Sequence, residues 1–268
     1  MPELPEVEFA RRVLRRRARG RAVVAVRALD ARLRPPRGTF AAWRGARTAA
    51  VERRGKTLLW TLRDRDAGAL LHLGMTGRLV VGAPGVRRSP YARVVWSFDD
   101  GGSVSFDDPR RFGRVNFGRV AALRAHPLWA RGAPDPWADR FDDAVLAAAL
   151  DGVRTPLKPA LMDQGRLLGL GNIQAAEACF RARLDPRRPA ASLAPRERKA
   201  LRRAILAALE HGLTSLGQGD DVTYVEAGGA HPFLVYDRAG EPCPRCRAPI
   251  VRFPQAGRST YACLACQR

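Results

Sequence analysis

The stretch that decides the architecture of this chain is its C-terminal "CPRCRAPIVRFPQAGRSTYACLAC", residues 243–266. It contains two Cys-x-x-Cys pairs, Cys243 with Cys246 and Cys263 with Cys266, and sixteen residues separate the pairs. This spacing is typical of a zinc ribbon, in which four thiolates complete the tetrahedral coordination of one Zn²⁺ ion. Such a closed site is structural, so we predict one structural zinc and no catalytic metal. Disulfides are the alternative, which a reducing cytosol disfavours.

Before this segment the hydrophobic pattern changes from strand-like to helical along the chain. A first helix is predicted over 4–20, because Pro5 suits a first turn and Gly20 ends the pattern. Short apolar runs then predict strands at 21–29, 57–63, 69–74, 78–82, 92–98 and 103–106. Helical periodicity follows at 137–150, 157–164, 172–184 and 194–213. The sequence therefore predicts a multi-domain α+β protein, with a sandwich or barrel first and helices after a proline-rich linker at 126–137.

The chain is strongly basic, with 47 Lys and Arg against 26 Asp and Glu and a formal net charge of +21. An excess of this size favours a polyanionic partner such as nucleic acid, although a solvated arginine-rich surface is the alternative. Lysine occurs only at 56, 158 and 199. No apolar run approaches the roughly 20 residues that span a bilayer, and the acidic N-terminus is unlike a signal peptide. We therefore expect a cytoplasmic protein.

Three further motifs suggest chemistry. "GLGNIQAAE" (169–177) places Asn172 where a helix begins, and this position predicts either a structural cap or a phosphate site on free backbone N–H groups. "HLGMTGRL" (72–79) and "DPRRFG" (108–113) place Met75 and Phe112 on turns beside glycine and arginine. Side chains of this kind act as wedges in proteins that extract a base from DNA, but ordinary core residues are the alternative. Cys179, within a helical pattern, is predicted to be a buried apolar residue.

Taken together and in this order, the motifs closely resemble the formamidopyrimidine-DNA glycosylase (Fpg/Nei) family. They are "PELPEVE" at 2–8, "RRGK" at 53–56, "HLGMTG", "DPRRFG", "LMDQ" at 161–164, "GLGNI" and the four cysteines. The resemblance covers nearly the whole chain. It implies an N-terminal β-sandwich flanked by helices (1–125), the linker (126–137), a helix–two-turn–helix domain with a base-covering loop (138–235) and a zinc finger (236–268). DNA is then expected in the cleft between the halves.

The resemblance also implies a role for the first residues. Family members lose the initiator methionine, so Pro2 is expected to present a secondary amine that attacks the sugar C1′ and forms a Schiff base. Glu3 is expected to act as the acid/base, and Glu6 to support Pro2. Glu8 is interpreted as structural. Lys56 matches the hairpin lysine that contacts a phosphate near the lesion, and it completes the expected catalytic set.

The remaining residues carried over by the resemblance contact DNA. Asn172 and Arg258 match residues that bind phosphates beside the flipped nucleotide, and Lys158 is expected to touch the backbone. A second set fills the space left by the extracted base, with one arginine pairing to the orphaned cytosine. This set consists of Met75, Arg110 and Phe112.

The implied function is a bifunctional DNA glycosylase and AP lyase of base excision repair, acting as a monomer on damaged double-stranded DNA near the nucleoid. It is expected to excise 8-oxoguanine and formamidopyrimidines and then to cleave the strand by β,δ-elimination. Two alternatives stay open: an endonuclease VIII-like preference for oxidised pyrimidines, and a lesion-binding protein without catalysis. The chain departs from the family at Gln174, where tyrosine is usual, at Asp237, where glycine is common, and in the loop 217–235. These departures leave the lesion preference open.

Overall fold

The first helix, α1, runs from Leu4 to Ala18 in the computed structural model, and the chain leaves it through Gly20 at φ +73°. The structure describes residues 2–217 and 232–268. Within these ranges the chain forms two compact units. The first contains Pro2, Glu6–Arg131 and 216–217, and the second contains Glu3–Pro5, Gly132–Ser215 and 232–268. The predicted loop 217–235 lies mostly outside the described residues, and the predicted domain boundaries stay predictions.

The first unit is built on eight antiparallel strands in the order β5-β7-β6-β1-β2-β3-β4-β8. The strands are β1 Ala22–Ala28, β2 Ala46–Arg54, β3 Thr57–Leu62, β4 Gly68–His72, β5 Arg78–Gly82, β6 Ala92–Phe98, β7 Ser103–Asp107 and β8 Arg114–Gly118. All six predicted strands are confirmed, and β6 pairs with β7 in an antiparallel hairpin. Two strands and one helix, α2 (Val120–Ala125), were not predicted. The strand β2, "ARTAAVERR", consists of small and charged residues apart from Val51 and therefore carries almost no hydrophobic signal.

This sheet folds back on itself and forms a sandwich. β1 and β2 are joined by only two residue pairs. β3 and β6 are three strands apart in the order, or about 14 Å along a flat sheet. Yet the rings of Trp60 on β3 and Trp96 on β6 lie 5.3 Å apart. Trp43 packs edge-on against Trp60 at 4.9 Å in the same fully buried core. The expected N-terminal β-sandwich is therefore present.

Four helices form the body of the second unit. They are α3 Asp143–Leu150, α4 Leu157–Met162, α5 Asn172–Ala182 and α6 Pro195–Ser215. The prediction for α3 was wrong at its start: the helix begins at Asp143 and not at 137, because Asp142 caps it by accepting a hydrogen bond from the Val145 N–H at 3.0 Å. Cys179 is fully buried in the core of this unit, as predicted, and burial raises its pKa to about 12.

The C-terminal segment forms a two-stranded hairpin of β9 (Val251–Gln255) and β10 (Arg258–Ala262). Its turn places Ala256 and Gly257 at positive φ. Within the described ranges, every helix is too short or too polar to cross a membrane.

Candidate active site

The carboxylate of Glu3 is held by the beginning of helix α5. Its two oxygens accept hydrogen bonds from the backbone N–H groups of Gly171 (2.8 Å), Ile173 (2.8 Å) and Gln174 (3.0 Å). The side chain is 1 % exposed. Backbone N–H groups at a helix N-terminus have no intrahelical partner, and the helix dipole favours a negative charge there. The fold therefore fixes one carboxylate, directly after Pro2 in the chain, in a single orientation.

Two glycines of the "GLGNI" motif make this arrangement possible. A Cβ on Gly171 would lie 2.5 Å from the Glu3 carboxyl carbon, and one on Gly169 would lie 2.3 Å from a methyl carbon of Leu4. Gly169 has φ +92°, and its carbonyl accepts a hydrogen bond from the Leu4 N–H at 3.0 Å. Of the two alternatives for this helix start, a phosphate on the free backbone N–H groups does not apply, because the Glu3 carboxylate occupies those groups. Asn172 is not the cap either, since Gly171 takes the N-cap position.

The Asn172 side chain instead connects α5 to the finger hairpin. Its Nδ2 donates to the Ser259 carbonyl at 3.0 Å, and its Oδ1 accepts from Lys158 Nζ at 2.6 Å. Lys158 is fully buried, so the expectation that it touches the DNA backbone is corrected: its ammonium has no solvent-facing side. Arg258, at the start of β10, is exposed. Asn172 is half-buried, so its amide is partly accessible.

The other acidic residues of the N-terminal segment differ from Glu3. Glu6 is buried in the first turn of α1, and Pro2 is buried as well. Glu8 forms ion pairs with Arg11 at 2.8 Å and with Arg53 at 3.3 Å. Burial raises the pKa of Glu8, but hydrogen bonds from neighbouring arginines outweigh this and hold its pKa below the usual value. The structural interpretation of Glu8 is confirmed.

The two turns that carry the expected wedge residues are joined by Asp108. Its carboxylate accepts from the Thr76 hydroxyl at 2.6 Å and from the Gly113 N–H at 2.7 Å. Thr76 follows Met75, and its hydroxyl also accepts from the backbone N–H of Arg110 at 3.3 Å. Asp108 is buried, so these bonds are shielded from water.

One of the expected wedge residues is exposed. Phe112 is 53 % exposed, and the guanidinium carbon of Arg110 lies 5.0 Å from the centre of its ring. Met75 is half-buried on the neighbouring turn. The structure therefore brings all three side chains to the same pair of turns in the first unit. An exposed phenylalanine argues against the alternative that it is an ordinary core residue.

Lys56 lies on the two-residue turn between β2 and β3, after Gly55 at φ +53°. It is half-buried, and His72 faces Thr57 in the paired strand β4. Burial, followed by the charges of Lys56 and two arginines, lowers the pKa of His72 to about 4. The imidazole is thus neutral at pH 7, and a cluster of positive charge surrounds it.

The four finger cysteines fit one structural zinc ion. Their sulfur atoms all lie within 4.8 Å of one another. The Sγ atoms of Cys243 and Cys266 are 3.9 Å apart, and those of Cys246 and Cys263 are 3.4 Å apart. Four sulfurs bound to a tetrahedral zinc at about 2.3 Å lie ~3.8 Å apart. None of the four forms a disulfide, so the alternative interpretation is wrong.

The two single-residue departures from the family are accommodated locally. Asp237 has φ +62°, a left-handed conformation that explains why glycine is common there, and its carboxylate accepts from the Tyr261 hydroxyl at 3.0 Å. Gln174 is buried against Gly212, where an added Cβ would lie 2.7 Å from the Gln174 Nε2. Its Oε1 has no hydrogen-bond partner among the described residues.

Several buried polar residues that position the site were not predicted from the sequence. Gln164 bonds to the backbone of Met162, Gly169 and Leu170, and thereby shapes the loop before α5. Glu177 accepts the N–H groups of residues 234–236 at 2.9–3.1 Å. Gln164 belongs to the quoted "LMDQ" motif, so the sequence did contain a signal for its role. No sequence pattern pointed to Glu177, because its hydrogen-bond partners lie almost 60 residues away.

Comparisons with known proteins agree with this architecture. The family model for the formamidopyrimidine-DNA glycosylase N-terminal domain matches residues 1–115, that for its H2TH domain matches 133–222, and that for the zinc finger found in FPG and IleRS matches 240–268. Formamidopyrimidine-DNA glycosylases of Acidiphilium cryptum and Chloroflexus aurantiacus are 40% and 39% identical. The matches cover all of this chain, 100% of the first relative and 98% of the second.

Solved structures give the same result. The MutM (Fpg) protein of Thermus thermophilus is 38% identical, with a TM-score of 0.82 over 99% of this chain and 98% of that one. The Lactococcus lactis Fpg (MutM), in a complex with DNA that contains an oxidised pyrimidine, is 27% identical, with a TM-score of 0.88 over the full length of both chains. This chain therefore belongs to the formamidopyrimidine-DNA glycosylase family, and it is a base excision repair DNA glycosylase with AP lyase activity.

Proposed function

We propose that Pro2 is the nucleophile and Glu3 the acid/base of this glycosylase. The observation that carries the proposal is the Glu3 carboxylate, buried and held by three N–H groups at 2.8–3.0 Å in the position next to Pro2. Once Met1 is removed, Pro2 has an α-amino group with a pKa near 8, against about 10.4 for lysine. At neutral pH, the unprotonated fraction of this amine is therefore roughly a few hundred times that of a lysine side chain.

The reaction follows from this pair. The Pro2 nitrogen bonds to C1′ while the N-glycosidic bond breaks, and the electron pair leaves with the base. Glu3 transfers the proton that Pro2 loses to O4′, so that the C1′–O4′ bond breaks and an iminium remains. The iminium acidifies the C2′ proton. Its removal expels the 3′-phosphate, and a second elimination expels the 5′-phosphate.

The DNA is bound by two groups of residues. Lys56, Asn172 and Arg258 contact phosphates around the flipped nucleotide, while the exposed Phe112, with Met75 and Arg110, fills the vacated space. The short link from Asp108 to both wedge turns supports this assignment, because a wedge needs a rigid base. Glu6 supports Pro2 from the first turn of α1.

The substrates are ring-opened and oxidised purines in damaged duplex DNA. Relatives named formamidopyrimidine-DNA glycosylase, full-length matches at 38–40% identity, support this preference. Oxidised pyrimidines are the second candidate, because the similar Lactococcus lactis protein was solved with DNA that contains one. Excision rates on matched duplexes with a formamidopyrimidine, 8-oxoguanine or an oxidised pyrimidine distinguish the two. We place this activity in the cytoplasm, on the nucleoid.

Borohydride reduction tests the nucleophile. The enzyme is incubated with a duplex that contains an abasic site, reduced, digested and analysed by mass spectrometry. We expect a stable adduct on the peptide that begins with Pro2. A variant that retains one extra residue before Pro2 should give no adduct, because an amide nitrogen is not nucleophilic, while the same residue added after Arg268 is the control. An adduct on any other peptide, or full trapping by the blocked variant, contradicts the proposal.

A further inference from the structure

Lys158 is a buried cation for which the proposed reaction has no use. It is the second residue of α4, and its side chain is completely shielded from solvent. A buried ammonium is costly unless each of its three protons has an acceptor. Nζ donates to the Asn172 Oδ1 at 2.6 Å, to the Thr260 Oγ1 at 2.9 Å and to the Ser259 carbonyl at 3.1 Å. Burial lowers the pKa of Lys158 to about 8.

The three acceptors belong to two elements with different tasks. Asn172 is the first residue of α5, and the N–H groups on either side of it hold Glu3. Ser259 and Thr260 lie on β10, which leads directly into the zinc ligand Cys263. The Lys158 ammonium is therefore the point where the finger strand and the support of Glu3 meet.

Further hydrogen bonds fix the surroundings of this point. The Asn172 Nδ2 also donates to the Ser259 carbonyl at 3.0 Å. The Thr260 hydroxyl donates to the Gln255 Oε1 at 2.9 Å, and the Gln255 Nε2 donates to the Pro186 carbonyl at 3.1 Å. Each acceptor is itself held by a further hydrogen bond, so none of these side chains is free to change its rotamer. A displacement of β10 therefore moves the ammonium and, with it, the start of α5.

We propose that Lys158 is a positioning residue that couples the zinc finger to the acid/base Glu3, so that the finger contributes to the rate of base excision as well as to DNA affinity. This inference rests on the proposed role of Glu3. It differs from a phosphate contact in a measurable way. A phosphate contact acts on affinity and its salt dependence, whereas a positioning residue acts on the rate when the enzyme is saturated with DNA.

The test is Lys158→Met, which keeps an unbranched side chain one atom shorter than lysine and removes the three hydrogen bonds. Single-turnover excision at saturating enzyme, and DNA affinity from low to moderate salt, are measured on a formamidopyrimidine duplex. We expect the saturated rate to fall on the order of 10-fold, since smaller shifts cost less than the 10²-fold of a 1 Å misplacement. The slope of the logarithm of the DNA-binding constant against the logarithm of salt concentration (the salt slope) should stay that of the wild type. A wild-type saturated rate, with a salt slope smaller in magnitude by about 0.9, identifies a phosphate contact and overturns the proposal.

Two matched lysines are the controls. Lys56→Met should lower the salt slope, and Lys199→Met, on the exposed side of α6, should change neither quantity. Zinc content and thermal unfolding show whether Lys158→Met is folded. If it is not, Thr260→Val decides: a reduced saturated rate in the folded, zinc-loaded variant supports the coupling, and an unchanged rate overturns it. Borohydride trapping by the wild type is run in parallel, so that failure of the Pro2 chemistry is recognised separately.

Discussion

Replacement of Gly171 by alanine isolates the contact on which the active site depends. Gly171 has φ −131°, which any residue adopts, so alanine brings no backbone strain. The new Cβ would lie 2.5 Å from the carboxyl carbon and from Oε1 of Glu3, and 2.8 Å from its Cγ. The substitution therefore acts through one collision, and the group it strikes is the proposed acid/base.

The size of the effect follows from these distances. Carbon atoms in contact are about 3.5–4.0 Å apart, so the carboxyl group has to retreat by roughly 1 Å. Hydrogen bonds that are now 2.8–3.0 Å long then exceed the normal range for N–H···O bonds. A misplacement of ~1 Å costs on the order of 10²-fold in rate. The N–H groups left without a partner cost about 1–3 kcal/mol of folding free energy.

The assay is single-turnover excision of a formamidopyrimidine from duplex DNA at saturating enzyme, with borohydride trapping in parallel. Gly132→Ala is the matched control, because no atom lies within 4 Å of its added Cβ and its φ is not in the left-handed range. We expect Gly171→Ala to lose about two orders of magnitude in rate and Gly132→Ala to lose nothing. Equal rates for the two folded variants refute the argument that Glu3 acts from this position.

Three further predictions concern the finger, the wedge and pH. Removal of zinc should unfold the finger and weaken DNA binding, because metal binding supplies the folding energy of such modules; undiminished affinity after verified metal loss contradicts this. Asp108→Ala should remove the hydrogen bonds that hold the turns of Thr76 and Gly113. These bonds contribute on the order of 1.5 kcal/mol to holding the turns in place. The same amount added to the activation barrier slows excision from duplex DNA about tenfold. Cleavage of a single-stranded abasic oligonucleotide, which needs no wedge, should be unchanged, and an equal loss on both substrates argues against this role. The pKa of Lys158 is about 8 in the folded protein against 10.5 ordinarily, so the unfolded chain binds more protons between these values. The free energy of unfolding of the wild type, relative to that of Lys158→Met, should therefore rise with pH above 8, by up to ~1.4 kcal/mol per pH unit. Denaturant unfolding at several pH values measures this difference. Parallel pH profiles for the two proteins contradict the prediction.

Elements with a local signal could be predicted from the sequence. The strands rich in valine and leucine, and the helix α6, follow from periodicity within a few residues. The strand β2 could not be predicted, because its alanines and arginines form a strand only through pairing with β1 and β3 on either side. The burial of Lys158 could not be predicted either, because it depends on acceptors about 100 residues away on β10.

The sequence alone determined the zinc site, the basic character of the protein and the order of its motifs, because thiol spacing, charge and periodicity are properties of neighbouring residues. Which anion occupies the N-terminus of α5 depends on how distant parts of the chain pack together. Phosphate and an internal carboxylate suit free N–H groups equally well in chemical terms. Glu3 occupies them because packing brings together residues 168 positions apart, and Gly171 leaves the space for its side chain.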